Sequence, residues 1–67
     1  MEIKHRLALR VKAFRTDKGW SQEELADRAG VHRTFVSQIE RAKKSSTIDT
    51  VEKISKALGV TCGKLLD

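Results

Sequence analysis

The sequence predicts an all-α fold, a compact bundle of five short helices. Apolar residues recur at spacings of three and four in successive segments, and no stretch alternates as a strand would. Gly19, Gly30 and Gly59 interrupt these segments, where a glycine suits the end of a helix. The 67 residues contain no proline and are 39% hydrophobic. Residues 1–67 are therefore expected to form one small domain.

The first two helices have clear boundaries in the sequence. The first is predicted from about Ile3 to Thr16, because apolar residues recur along one face. Those residues are Ile3, Leu7, Val11 and Phe14. The second is predicted to begin with a capping box, in which the Ser21 hydroxyl accepts from the backbone N–H of Glu24 and the Glu24 carboxylate reaches back to Ser21. Trp20 and Leu25 flank that start as a hydrophobic staple, and the next glycine ends the helix.

The third helix, residues 32–41 with the sequence HRTFVSQIER, is predicted to have two contrasting faces. At about 100° per residue, its polar side chains fall in one arc of roughly 140° and its apolar side chains in the opposite arc. The polar arc holds Arg33, Thr34, Ser37, Gln38 and Arg41, and the apolar arc holds Phe35, Val36 and Ile39. His32, at its start, is not among the preferred N-cap residues. Guanidinium, amide and hydroxyl groups hydrogen-bond base edges and phosphates, although such a face could also be merely solvated.

Two further helices are predicted after a polar, basic loop at residues 42–46. Thr47 is expected to cap the fourth helix, which Gly59 ends. Its inward face is expected to consist of Ile48, Val51, Ile54 and Leu58. Another staple and cap, formed by Val60, Thr61 and Leu65, predicts a short last helix that ends with Leu66 and Asp67.

The chain is basic, with a formal net charge of +5 at pH 7 and a pI of about 9.8, which favours an anionic partner. The basic excess lies in residues 1–18 and in residues 32–46, which contain the third helix. The single cysteine, Cys62, cannot form an internal disulfide. With no apolar run long enough to span a bilayer and no signal peptide, the sequence favours a cytoplasmic protein that does not bind a membrane.

Catalytic and metal-binding patterns are missing from the sequence. His32, His5 and Cys62 are too few to ligate zinc, and Cys62 is more simply a small buried residue than a reactive thiol. There is no histidine-supported nucleophile, no carboxylate pair in a plausible pocket and no glycine-rich phosphate loop. The expectation is therefore a protein that is not an enzyme and that uses no metal or cofactor.

The stretch SQEELADRAGVHRTFVSQIER, residues 21–41, resembles the signature of the phage-repressor and Cro-like helix-turn-helix domains of the XRE type. The resemblance covers about residues 6–66 and is carried by Gln22, Ala26, Gly30, Val36, Ile39 and Glu40. It implies a lambda-repressor-like bundle in which helices 2 and 3 form the helix-turn-helix and helix 3 reads the major groove. HRTFVSQIER, a basic loop and TIDTVEKI look most like the controller proteins of restriction-modification systems. Prophage-type regulators and antitoxins share the same segment.

The resemblance also implies roles for individual residues. The implied base-reading residues are Arg33, Thr34, Ser37 and Gln38, and the implied phosphate-binding residues are Gln22, Arg41, Lys43 and Lys44. Arg15 and Glu40 match a partly buried ion pair that joins the first helix to the end of the third, the alternative being two unrelated surface charges. Ala42 stands where the family commonly has glycine or asparagine, which leaves the form of that turn open.

The expected partner is double-stranded DNA. One reading helix covers only a few base pairs, so two copies on a pseudo-palindromic operator are expected, about one DNA turn apart. A homodimer would use the fourth and fifth helices and adjacent loops; the alternative is a monomer with Leu58, Leu65 and Leu66 all in the core. No ligand-sensing domain is expected beyond Asp67, and hence no small-molecule ligand.

The sequence is compatible with two functions. The first is a sequence-specific transcription regulator, and the second is a protein-interaction module of the same fold, such as an antitoxin that binds a toxin. Arg33, Gln38 and Arg41 on one exposed face favour the first, because a fold used only for protein contacts does not need them.

Overall fold

A computed structural model describes residues 3–43 and 48–66 of the chain. Within these ranges the protein has five α-helices and no strand, which confirms the predicted all-α bundle. The helices are α1, Ile3–Asp17; α2, Gln22–Ala29; α3, Arg33–Glu40; α4, Ile48–Leu58; and α5, Cys62–Leu66. Thr47, the predicted cap of α4, lies outside the described residues. No helix in the described ranges combines the length and the apolar character that crossing a membrane requires.

Every helix contributes to one hydrophobic core. Its buried members are Leu7, Val11, Leu25, Ala26, Val36, Ile39, Val51, Ile54, Leu58 and Leu65. Phe14, Trp20, Val31 and Leu66 are partly buried at its edge. α3 packs against both α1 and α2, while α2 also packs against α4 and α1 against α5. Fully burying one aliphatic side chain contributes about 1.5–3 kcal/mol, so this shared core fixes α3 on its two neighbours.

Three apolar residues predicted to face the core are exposed instead. Ile3, Phe35 and Ile48 are 62%, 52% and 69% exposed. Ile3 and Ile48 are the first residues of α1 and α4, beyond the edge of the core. Phe35 lies at the edge of the apolar arc of α3, about 60° from Gln38 on a helical projection. The predictions were wrong because periodicity gives the direction of a side chain, not the extent of the core that it meets.

The starts of α2 and α5 are closed by hydroxyl side chains. Ser21 Oγ accepts from the backbone N–H of Glu24 at 3.0 Å, as predicted. The Glu24 carboxylate does not reach back to Ser21, because it accepts from Arg28 Nε at 2.8 Å instead, a charge-assisted bond within one helical turn. The predicted capping box is therefore half right. In α5, Thr61 Oγ1 accepts from the backbone N–H of Lys64 at 3.3 Å.

The ends of α1, α2, α3 and α4 share one hydrogen-bond pattern, the Schellman motif. In α3, the N–H of Ala42 donates to the Ile39 carbonyl at 3.0 Å and the N–H of Lys43 to the Gln38 carbonyl at 3.1 Å. The other three motifs place a glycine in the left-handed conformation, whereas here Ala42 adopts it, with φ 53°. The turn after α3 thus keeps the ordinary form, and the alanine costs roughly 1 kcal/mol relative to a glycine.

Candidate nucleic-acid interface

The polar arc of α3 faces outward. Arg33 and Thr34 are exposed, and Ser37 and Gln38 are half-buried. A shallow depression in the surface is lined by Arg33, Thr34, Ser37, Gln38, Arg41 and Lys43. The structure therefore brings together the four predicted base-reading residues and two of the predicted phosphate-binding residues. Lys44, another of these, lies outside the described residues.

Two buried side chains on the other side of α3 set this orientation. Val36 is fully buried, and Ile39 is 3% exposed. Because residues four apart lie on one helical face, about 5–6 Å from each other, Arg33, Ser37 and Arg41 form a row on the opposite side. Thr34 and Gln38 form a second row beside it. This face presents closely spaced hydrogen-bond donors and acceptors, and none of its side chains belongs to the buried core.

Glu40, the last residue of α3, is held by two other helices. Arg15 on α1 donates to it twice, from Nε to Oε2 at 2.6 Å and from Nη2 to Oε1 at 2.9 Å. Gln22, the first residue of α2, donates from Nε2 to Oε1 at 3.2 Å. Arg15 Nη1 also donates to the Trp20 carbonyl at 2.7 Å. The network joins the C-terminal end of α3 to α1 and to the start of α2.

The Arg15–Glu40 ion pair is nearly buried, with side chains 12% and 4% exposed. The hydrogen bond to Glu40 raises the pKa of the Arg15 guanidinium, and burial opposes part of that rise. Removing one partner of such a pair leaves a charge uncompensated in a poorly solvated position, which costs about 3–5 kcal/mol. The pair therefore fixes how α3 is rotated, and with it which side chains face outward.

Gln22 has a role that its position in the sequence did not predict. The resemblance implied a phosphate contact, but its amide donates to Glu40 and the residue is half-buried. A primary amide has two N–H donors, so one remains for another acceptor. The phosphate contact stays a prediction. The signal that could have revealed the bond to Glu40 was the position of Glu40 at the inward edge of its helix.

Trp20 carries a second contact that the sequence did not predict. The guanidinium of Arg28 lies 4.3 Å from the centroid of the Trp20 ring, and Lys18 Nζ lies 5.3 Å from it. Arg28 also pairs with Glu24 on the same helix. The Arg28 guanidinium is therefore already engaged by Trp20 and Glu24, whereas the Arg33 side chain lines the depression on the outward face of α3.

Two short helices joined by the turn at Gly30 and Val31, the second with a basic outward face, define a helix-turn-helix DNA-binding domain. Residues 11–65 match the family model described as helix-turn-helix, HTH_3. The chain belongs to this family, whose members are of the XRE type, as the sequence predicted.

Known relatives agree with that assignment. The chain is 48% identical over 59 residues to the control protein C.BamHI of Bacillus amyloliquefaciens, a match that covers 87% of this chain and 73% of that protein. It is 47% identical over 60 residues to a Neisseria hypothetical transcription factor from Neisseria meningitidis, covering 90% of this chain and 57% of the relative. The chain thus spans little more than half of that relative. A crystal structure of the biofilm regulator SinR in complex with DNA superposes with a TM-score of 0.87 at 40% identity, covering 91% of this chain and 98% of the solved chain.

Proposed function

We propose that this domain is a transcription regulator that reads a pseudo-palindromic operator as a homodimer, with α3 of each copy in the major groove. The observation that carries the proposal is the surface formed by Arg33, Thr34, Ser37 and Gln38, opposite the buried Val36 and Ile39. The similarity to SinR, whose structure was solved with DNA, supports it. The alternative function, a module that contacts only proteins, gives no reason for this surface.

The base-reading roles follow from side-chain chemistry. Arg33 presents two parallel donors that match guanine O6 and N7. Gln38 can pair with adenine N6 and N7, and the Thr34 methyl group can contact a thymine methyl. Ser37 is small enough to let the helix lie close to the bases. Arg33 is therefore assigned to a guanine in each half-site.

Arg41 and Lys43 are assigned to the DNA backbone. Both follow the last residue of α3 and line the same depression as the base-reading residues. Phosphate contacts fix the position of a protein on the duplex without reading its sequence. Lys44 and the second amide N–H of Gln22 are proposed to add to this grip.

Dimerisation is proposed to use α4, α5 and the adjacent loops. Ile48, 69% exposed at the start of α4, is a candidate contact, and Ile3, 62% exposed at the start of α1, is its matched control. Sedimentation at micromolar concentration should give a dimer that Ile48→Ser weakens and Ile3→Ser leaves intact. A monomeric mass, with and without DNA, would contradict the dimer.

Selection of bound sites from a random pool of DNA duplexes tests the function itself. We expect a pseudo-palindrome with half-sites about one DNA turn apart. Repeating the selection at two salt concentrations separates the contribution of phosphates from that of bases. A pool that shows no enriched sequence would leave the protein-interaction function as the better explanation.

Single variants then assign the residues. Arg33→Ala should cost about 1–3 kcal/mol of specific binding and relax the preference at one position in each half-site. Arg33→Lys is the control, since it keeps the charge but loses the two parallel donors. Lys43→Ala and Lys44→Ala should each weaken binding to all sequences and lower the salt slope by about one. If Arg33→Ala binds the selected duplex and a random duplex as tightly as the unmodified protein does, Arg33 does not read a base.

A further inference from the structure

The start of α3 is closed by an imidazole. His32 is the N-cap residue, with extended backbone angles of φ −74° and ψ 143°, and its Nδ1 accepts from the backbone N–H of Thr34 at 3.1 Å. Its carbonyl accepts from the N–H of Phe35 at 2.9 Å. His32 thus satisfies two donors of the first turn of α3, the turn that carries Arg33 and Thr34.

This cap depends on the protonation state of the ring. Nδ1 can accept only when it bears no proton, so this cap requires the neutral ring with its proton on Nε2. Protonation replaces the acceptor with a donor and places a positive charge at the positive end of the helix dipole. Histidine is the side chain that ordinarily changes charge between pH 5 and 8. The hydroxyl caps Ser21 and Thr61 do not titrate in that range.

Several charged groups of α1 and α2, the helices packed against α3, have other partners or line another surface. On α2, Arg28 is bonded to Glu24 and stacked on Trp20. The acidic residues of α2, which are Glu23, Glu24 and Asp27, line a different depression together with Ser21. On α1, Arg15 is paired with Glu40 at the other end of α3. Among the described residues no carboxylate pairs with His32, so a proton on its ring gains no partner that would offset the lost cap.

We propose that His32 is a positioning residue for DNA reading: its neutral imidazole holds the first turn of α3 in place, so that sequence specificity falls as the pH is lowered. This rests on the proposed function for its DNA-binding part. Two effects of protonation act together. The loosened first turn weakens the base contacts of Arg33 and Thr34, while the added charge attracts phosphates of any sequence. The ratio of specific to non-specific affinity therefore falls more than the specific affinity alone.

The test compares the chain's two histidines. The dissociation constants for a duplex selected by the unmodified protein and for a random duplex are measured from pH 8 to pH 5.5. The proteins compared are the unmodified chain, His32→Asn and His5→Asn. Asparagine is a preferred N-cap whose side-chain oxygen does not titrate, so His32→Asn keeps the cap at every pH. His5 lies exposed on α1 and is the matched control.

The specificity ratio of the unmodified protein and of His5→Asn should fall about twofold over this range, the equivalent of about 0.5 kcal/mol, which is the low end for the loss of an N-cap. The ratio of His32→Asn should stay constant. The proposal is overturned if His32→Asn retains the pH dependence, or if His5→Asn removes it.

A measurement without DNA separates this inference from the proposed function. The backbone amide resonance of Thr34 should titrate together with the His32 ring in the unmodified protein, and it should stay fixed in His32→Asn. If that resonance does not titrate, the imidazole cap is wrong whatever the protein binds. If it titrates but the specificity ratio is constant, the cap does not position the reading helix. Failure of every variant to bind either duplex would overturn the proposed function and the reading role with it, while the amide titration would still decide the cap.

Discussion

α2 and α3 are the two halves of the helix-turn-helix and have eight residues each, but their ends are built from different side chains. α2 is capped by Ser21 at its start and by Gly30 at its end, both strongly preferred for those positions. α3 is capped by His32 at its start and is followed by Ala42 in the left-handed position, and neither residue is preferred there. The hydrogen-bond patterns are nevertheless alike. The reading helix therefore depends less on its own ends and more on what packs against it.

The charges at the two helix starts differ in the same way. α2 has Glu23 and Glu24 in its first turn, where they stabilise the positive end of the helix, and α3 has no acidic residue there. A carboxylate at the start of α3 would stabilise the helix but repel a phosphate. The difference indicates that the start of α3 is suited to an anionic partner at the expense of local stability.

The largest effect is expected from removing the ion pair that joins α3 to α1. Glu40→Ala should destabilise the protein by about 3–5 kcal/mol, because it leaves Arg15 without its carboxylate. A domain of this size has only about 3–5 kcal/mol in total, so the variant should be largely unfolded at 25 °C by circular dichroism. Glu24→Gln is the control on α2. Its pair with Arg28 is half-exposed and contributes about 0–1 kcal/mol. Equal stabilities of the two variants would contradict the dependence of α3 on tertiary contacts.

Substitutions in the turns after α2 and after α3 should change the free energy of unfolding in opposite directions. Gly30→Ala should destabilise by roughly 1–2 kcal/mol through its φ of 70° alone, since a methyl group there would meet no atom within 4 Å. Ala42→Gly should stabilise by roughly 1 kcal/mol, because its φ of 53° suits glycine. Urea unfolding measures both. If Ala42→Gly is not stabilising, the alanine at the end of α3 is not strained.

The two caps should differ in strength. Ser21→Ala should cost about 1 kcal/mol at any pH between 5 and 8, since its hydroxyl does not titrate there. His32→Ala should cost less than Ser21→Ala at pH 8, and its cost should fall further at pH 5.5, because a ring nitrogen that carries a proton cannot accept from the Thr34 N–H. The free energies of unfolding of both variants at the two pH values check this. A cost of His32→Ala that is the same at both would refute the difference.

The smallest expected effect distinguishes two of the exposed arginines, Arg28 on α2 and Arg33 on α3. Arg28→Ala should lower the stability by about 0.5–1 kcal/mol, since it removes the contact with the Trp20 ring and the pair with Glu24. Arg33→Ala should leave the stability unchanged and act on DNA binding alone. Thermal unfolding and binding to the selected duplex, measured on both variants, should show this crossed pattern. An Arg28→Ala variant that binds DNA as poorly as Arg33→Ala would erase the distinction between the two helices.

Much of the local structure could be predicted from the sequence. The positions of the five helices, the Ser21 and Thr61 caps and the glycine ends of α1, α2 and α4 follow from residues that lie within a few positions of one another. The outward face of α3 also followed, because Val36 and Ile39 leave only one side for the polar residues. The spacing of residues was sufficient to predict a feature wherever the interacting residues lie within a few positions of each other.

Other features depended on contacts that spacing does not describe. The Glu24 carboxylate accepts from Arg28, because the guanidinium one turn away competes with the backbone N–H of Ser21 for it. Phe35 and Ile48 are exposed because the core ends before it reaches them. The sequence placed His32 at the start of α3 as a poor N-cap, and only the coordinates show that its Nδ1 accepts from the Thr34 N–H.

The sequence by itself determined the helices, their faces and the family, since backbone hydrogen bonds, caps and amphipathic spacing act over one or two helical turns. Only the tertiary structure decided how α3 is rotated and held, although the family resemblance had implied the Arg15–Glu40 pair. Arg15 and Gln22 meet Glu40 across 25 and 18 positions of the chain. Three polar groups that far apart converge only after the core has packed. Their bonds become strong there because the packed helices exclude the water that would otherwise compete for them.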